Sequence, residues 1–150
     1  MIVLMKKLAL LIIIALPIAW FFWPSTAKSP AKKPTPQNAN ITLLAAGDFI
    51  AHDSINMAAK LSDGSYNYLP LMDTFTPIFK KNDIRFCSDG VLNGGIQFGI
   101  SGYPKFNSPT EFVDGMTKVG CNLVANGTNH SFDRDQSVIN ATADAWARQP

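Results

Sequence analysis

The chain has 150 residues, 47 % of them hydrophobic, and a formal net charge of +2. Five of its 13 Lys and Arg precede residue 40 and all 11 Asp and Glu follow it, so the later part sets eight cations against eleven anions, a balance of −3. That length fits one domain, and that balance excludes a nucleic-acid surface, which needs Lys and Arg clustered on the folded part.

Lys6 and Lys7 precede an uncharged apolar run, residues 8–23. A basic start followed by an apolar run is an export signal or a membrane anchor. The run is 16 residues, a little short of the roughly 20 that span a bilayer, and extension at either end would close the gap. Trp20, Phe21, Phe22 and Trp23 sit at its far end, as interfacial aromatics do. Residues 1–23 are therefore read as an uncleaved signal anchor, with Ser25-Thr26-Ala27 as the cleavage site of the alternative, a removed export peptide. Residues 24–40 are rich in Pro, Ser, Ala and Lys and read as an extended spacer. The expected arrangement is a single-pass protein of the cell membrane whose remaining residues, 41–150, form an extracellular domain.

Residues 41–50, "ITLLAAGDFI", are a strand apolar on both faces that ends in Gly47-Asp48. Asp53 or Ser54 is expected to cap a short helix through Lys60. Tyr68 to Lys81 reads as mostly helical, opened or interrupted by Pro70 and Pro77. A second strand lies within residues 83–89, and residues 90–109 form a long Gly-rich loop. Ser108 or Thr110 is expected to cap a helix that stops at Gly120. A third strand covers residues 121–126, and Asp133 is expected to open a last helix with Val138, Thr142, Ala145 and Trp146 on one face. Strands alternating with helices predict an α/β fold with a parallel sheet. A sheet ending at its third strand is expected to leave an open edge and an uncovered apolar face. Cys87 and Cys121 are expected as two free, buried thiols. Placed at opposite edges of a parallel sheet, they would exceed the roughly 6 Å between Cα atoms that a bridge needs.

In parallel sheets ligands gather beyond the carboxyl ends of the strands. Asp48 ends the first strand, Ser88 and Asp89 the second, and Asn129 and His130 follow the third, so polar groups collect at one edge. Asn129-His130 has two readings: turn chemistry, or a metal site, since imidazole and amide or carboxylate oxygens are metal ligands. His52 is a further candidate, set against a surface residue at the start of a helix. Asp133 reads as a helix cap and Asn107 as a structural loop residue.

The stretches "GDFIAH" (47–52), "GYPKFNSPTEF" (102–112), "VGCNLVANGTNHSFD" (119–133) and "QSVINAT" (136–142), in this order and spacing, resemble the bacterial capsule synthesis family, the CapA or PgsA-like proteins of poly-γ-glutamate synthesis. The resemblance implies a calcineurin-like metallophosphoesterase sandwich, here in part, with parallel strands behind a membrane-anchor helix. It implies metal-site roles for Asp48, Asn129 and His130, with His52 as a weaker match, and makes His130 and Asn129 the catalytic candidates. The implied cofactor is a divalent metal, Mn, Fe or Zn; two such ions hold a hydroxide against a phosphoryl group. The implied partners are the membrane, other polymer synthase subunits in it, and an anionic polymer. Two departures stand out. Ser88 and Gly90 occupy positions where the family has Asn and Glu, and Asp135 stands where Gly is usual. The family's domain is also about twice as long, so the chain reads as its N-terminal half. Three functions follow: a membrane-anchored component of capsule or poly-γ-glutamate synthesis, a phosphoesterase acting on an envelope ester, or an inactive binding or scaffold fragment.

Overall fold

The apolar strand sequences pair as their composition requires. β1 (Leu43–Phe49) lies parallel to β2 (Ile84–Asp89), and β2 lies parallel to β3 (Leu123–Ala125), giving the order β1-β2-β3. The structure is a computed structural model that describes residues 39–150. The expected anchor over 1–23 and nearly all of the 24–40 spacer lie outside the described residues. Among the described residues no helix is long and apolar enough to cross a membrane. They form an α/β unit with a single parallel sheet, as expected of the class.

One face of that sheet is covered. Leu44, Ala46, Phe49 and Val124 pack against buried Cys87, Phe79, Phe112, Met116 and Val119. The cover is α4 (Glu111–Val119), whose apolar residues recur at helical spacing and bury Phe112, Val113, Met116 and Val119. Each such side chain contributes about 2 kcal/mol of burial. Gly120, with φ +129°, ends the helix as expected. Gly115 lets α4 close on Tyr68, whose Cβ lies 2.9 Å from where an alanine Cβ would stand.

The other face is open. Leu43, Ala45, Phe86 and Leu123 share it by strand alternation and register, and Leu43 and Leu123 are exposed. Among the described residues β1 and β3 are its two edges, and no element covers that face, as the three-strand pattern implies.

The short helices follow the prolines. Instead of one helix through residues 68–81 there are three turns: α2 (Leu69–Met72), a 3-10 turn (Asp73–Phe75) and α3 (Thr76–Phe79). Pro70 and Pro77 each sit in a first turn, where the missing N–H costs no bond. α1 (Asp53–Ala59) is capped by neither Asp53 nor Ser54 but by His52, whose Nδ1 accepts from the Asp53 N–H at 3.0 Å. α5 (Gln136–Ala147) starts at Asp135, whose carboxylate accepts from the N–H groups of Ser137 and Val138. The expected cap, Asp133, is occupied by other donors. The cap of α4 is Thr110, without a side-chain bond.

The expectation of free thiols is overturned: Cys87 and Cys121 form a disulfide with their Cα atoms 5.9 Å apart. The third strand starts at Leu123 and not at 121, so Cys121 is not a strand residue. Cys87 lies inside β2, two residues before its end, opposite Val124. Asn122 already pairs with Arg85 through N–H to carbonyl and Arg85 N–H to amide contacts. Cys121 itself sits in the turn that ends α4, its N–H donating to Met116 O at 3.0 Å, so it does not continue the line of β3 and its thiol reaches Cys87 on the covered face.

Candidate functional site

The three parallel strands bring their carboxyl ends to one edge, and Asp48, Asp89 and the Asn126–Asp133 turn meet there. At the end of β1, Asp48 Oδ1 accepts from Ser88 Oγ at 2.5 Å. Gly47 permits this closeness, since a Cβ there would lie 2.6 Å from the Ser88 Cβ.

After β3 the chain folds a tight turn. Ser131 Oγ donates to Asn126 O and accepts from Thr128 N–H, and Thr128 Oγ1 ties the turn to Gly90 O on the β2 side. The turn holds His130 half-buried, with Nδ1 2.7 Å from Asp133 Oδ2. Asp133 Oδ2 also accepts from Phe106 N–H at 2.8 Å. An ionised carboxylate only accepts, so Nδ1 of His130 is the donor in this pair, and a neutral ring then has its lone pair on Nε2. The ring stands edge-on to Phe106 at 4.6 Å between centroids, and His52 meets the same Phe106 ring at 5.5 Å. His52 and His130 therefore flank one buried aromatic. They are not equivalent: His52 spends its Nδ1 lone pair as the helix cap, so a neutral ring has its proton on Nε2 and no lone pair left for an ion. Asn129 is exposed at the turn.

These residues do not fit a self-sufficient metal centre. Among the described residues no three His, Cys, Asp or Glu side chains come together to hold an ion. One imidazole nitrogen, one carboxylate already bonded to Ser88 and one exposed amide fall short of the four or more ligands that Mn, Fe or Zn takes.

A second cluster forms just below the edge. Asp89 is fully buried, and its Oδ2 accepts from Asn93 Nδ2 (2.6 Å), Asn126 Nδ2 (3.0 Å) and Trp146 Nε1 (3.0 Å). Its Oδ1 has no partner among the described residues. Burial pushes the Asp89 carboxyl up to about 7, against the smaller lowering effect of its hydrogen bonds. The group joins β2, the Gly-rich loop, β3 and α5.

A sequence model described as bacterial capsule synthesis protein PGA_cap matches residues 42–150. The chain belongs to this family. No curated protein and no solved structure matches it.

Within this capsule synthesis protein, the match takes in all three strand ends and the His130–Asp133 turn. The sequence pointed to His130 and to the shared edge. It missed Asp133 as the partner of His130, and it missed the Asp89 cluster. Strand alternation puts Asp89 on the same side of β2 as Cys87, the covered face. The available signal was Asn93 four residues on and Asn126 at the end of the neighbouring strand, two amides able to reach an inward carboxylate. Asn107 is structural, as expected. Buried, it donates to Gly95 O and Gly99 O and accepts from Gly94 N–H, which pins the base of the 90–109 loop.

Proposed function

We propose that the chain is a membrane-anchored, extracellular component of capsule-polymer synthesis that binds and positions rather than hydrolyses. The polymer is anionic, of the poly-γ-glutamate kind, and the partners are synthase subunits in the same membrane. The observation that carries this reading is the family match across residues 42–150. The basic, apolar start at residues 6–23 supports the anchor. The Cys87–Cys121 disulfide supports a location outside the cytoplasm, where such bonds persist. The donor set supports binding over metallophosphatase chemistry. Asp48 is bonded to Ser88, His52 caps a helix, and Ser88 and Gly90 replace the Asn and Glu seen in the resemblance. His130, oriented by Asp133, presents one nitrogen able to accept a proton or a hydrogen bond from a bound group.

Deletion of the gene from its own source is the test, with surface polymer quantified and phosphodiester hydrolysis measured on the purified full-length chain. Loss of polymer without measurable hydrolysis is expected. Unchanged polymer on deletion overturns the reading. Metal-dependent hydrolysis that disappears in His130→Ala replaces it with the phosphoesterase.

A further inference from the structure

A cleft of about 480 Å³ lies beside the His130 turn. Its walls are the Ser101–Lys105 turn, Asp53 at the start of α1, and Arg134. The turn is braced. Ser101 and Asn107 exchange two backbone hydrogen bonds of 3.0 and 2.9 Å, and Ser101 Oγ donates to Lys105 O at 2.6 Å. Arg134 is held as firmly: it donates to Phe98 O at 2.6 Å and to Ser101 Oγ at 2.9 Å, and it retains further N–H donors. On the facing side, the Asp53 carboxylate rests on Gly102, where a Cβ would lie 2.6 to 2.7 Å from its oxygens. Only glycine admits it there.

The charges do not neutralise one another. Among the described residues the one ion pair is His130–Asp133, so no nitrogen of Lys105 or Arg134 lies within 4.0 Å of an Asp53 oxygen. Two cations and an anion thus face one cleft with space between them. Tyr103, 74 % exposed, adds an aromatic surface at the turn's tip. A group that completes both sides needs an oxyanion for Arg134 and Lys105 and a hydrogen-bond donor for Asp53.

We propose that this cleft binds a carboxylic acid that also carries hydroxyl or ammonium donors, its carboxylate on Arg134 and Lys105 and its donors on Asp53. The ligand is either a free small acid or one unit of a polymer. The polymer source rests on the function proposed above; the recognition itself rests on the cleft.

The test is isothermal titration of the full-length chain in detergent micelles with D-glucuronate and L-glutamate, with acetate and glucose as single-feature controls. Saturable binding of at least one donor-bearing acid is expected, with both controls at least about tenfold weaker, the scale of one lost charge-assisted bond. Lys105→Gln, on the exposed turn tip, weakens the acid about tenfold. Asp53→Asn narrows the gap between the acid and acetate. No saturable binding of either acid, acetate binding equal to them, or binding untouched by both substitutions overturns the proposal. An oligomer that binds no tighter per unit than its monomer assigns the cleft to the free acid; a tighter one assigns it to the polymer. Binding in a chain whose deletion leaves surface polymer intact removes the polymer-synthesis reading while the cleft stands.

Discussion

Raising the pH from 4 to 8 destabilises this protein through Asp89. The folded chain keeps the Asp89 proton to about pH 7 because the carboxyl is buried, whereas the unfolded chain releases it near 3.8. Between those values the folded state binds more protons, so stability falls as pH rises through the window. Below about pH 4 both states are protonated and the group contributes nothing; above about 7 the whole cost is present. At about 1.4 kcal/mol per unit, the displacement corresponds to about 4 kcal/mol, a large share of the roughly 5–15 kcal/mol that holds a domain folded. Three aspartates act oppositely and lower. Thr42 holds Asp83 below the usual range, and Ser65 and Ser137 do the same for Asp63 and Asp135. What they contribute is present above about 3.8 and lost below it, outside the Asp89 window. Asp89→Asn separates the effects. Its amide oxygen still accepts from Asn93, Asn126 and Trp146, and it cannot ionise. Urea unfolding of both full-length proteins in detergent, followed by near-UV circular dichroism at pH 4, 6 and 8, gives the comparison. The variant is expected to gain about 4 kcal/mol on the parent between pH 4 and pH 8. Parallel curves over that range would refute the buried, proton-holding assignment of Asp89.

The Cys87–Cys121 bond closes a span of 34 residues, and loop-closure entropy gives about 4 kcal/mol for such a span; thermal melts with and without reductant should differ accordingly, and coincident melts would rule the bridge out. Gly47→Ala drives a Cβ to within 2.6 Å of the Ser88 Cβ, an overpacking cost of about 1–3 kcal/mol visible as a lower urea midpoint; an unchanged midpoint would mean the strands have room to part. Asp133→Ala removes the acceptor shared by His130 and Phe106 N–H and should cost about 1–3 kcal/mol, with the His130 ring resonances shifting in the NMR spectrum; unshifted resonances would contradict the pairing. Zn²⁺ or Mn²⁺ titrated into the full-length chain should bind weakly and not at all to His130→Ala, and tight binding that survives the substitution would disprove the incomplete donor set.

Local chemistry was legible from the sequence alone. Continuous apolar runs around Leu44, Phe86 and Val124 specify the strands of a parallel sheet, Pro70 and Pro77 specify helix starts, and Gly120 a helix stop. The edge where Asp48, Asp89 and His130 gather follows from parallel order, because every strand then delivers its end to the same side. The capsule synthesis family was legible too, since the order and spacing of motifs are properties of the sequence. What depended on three dimensions was which atoms meet. Cys87 and Cys121 bridge because Cys121 turns off the end of α4 before β3 begins, which no spacing along the chain reveals. Asp133 serves His130 and Phe106 rather than α5 because a carboxylate goes to the donors folding brings nearest, and Phe106 arrives from 27 residues away. The proton on Asp89 is likewise a tertiary property: its pKa is set by exclusion of water beneath Trp146 and Asn126, and desolvation is a property of the packed interior and not of any residue in it.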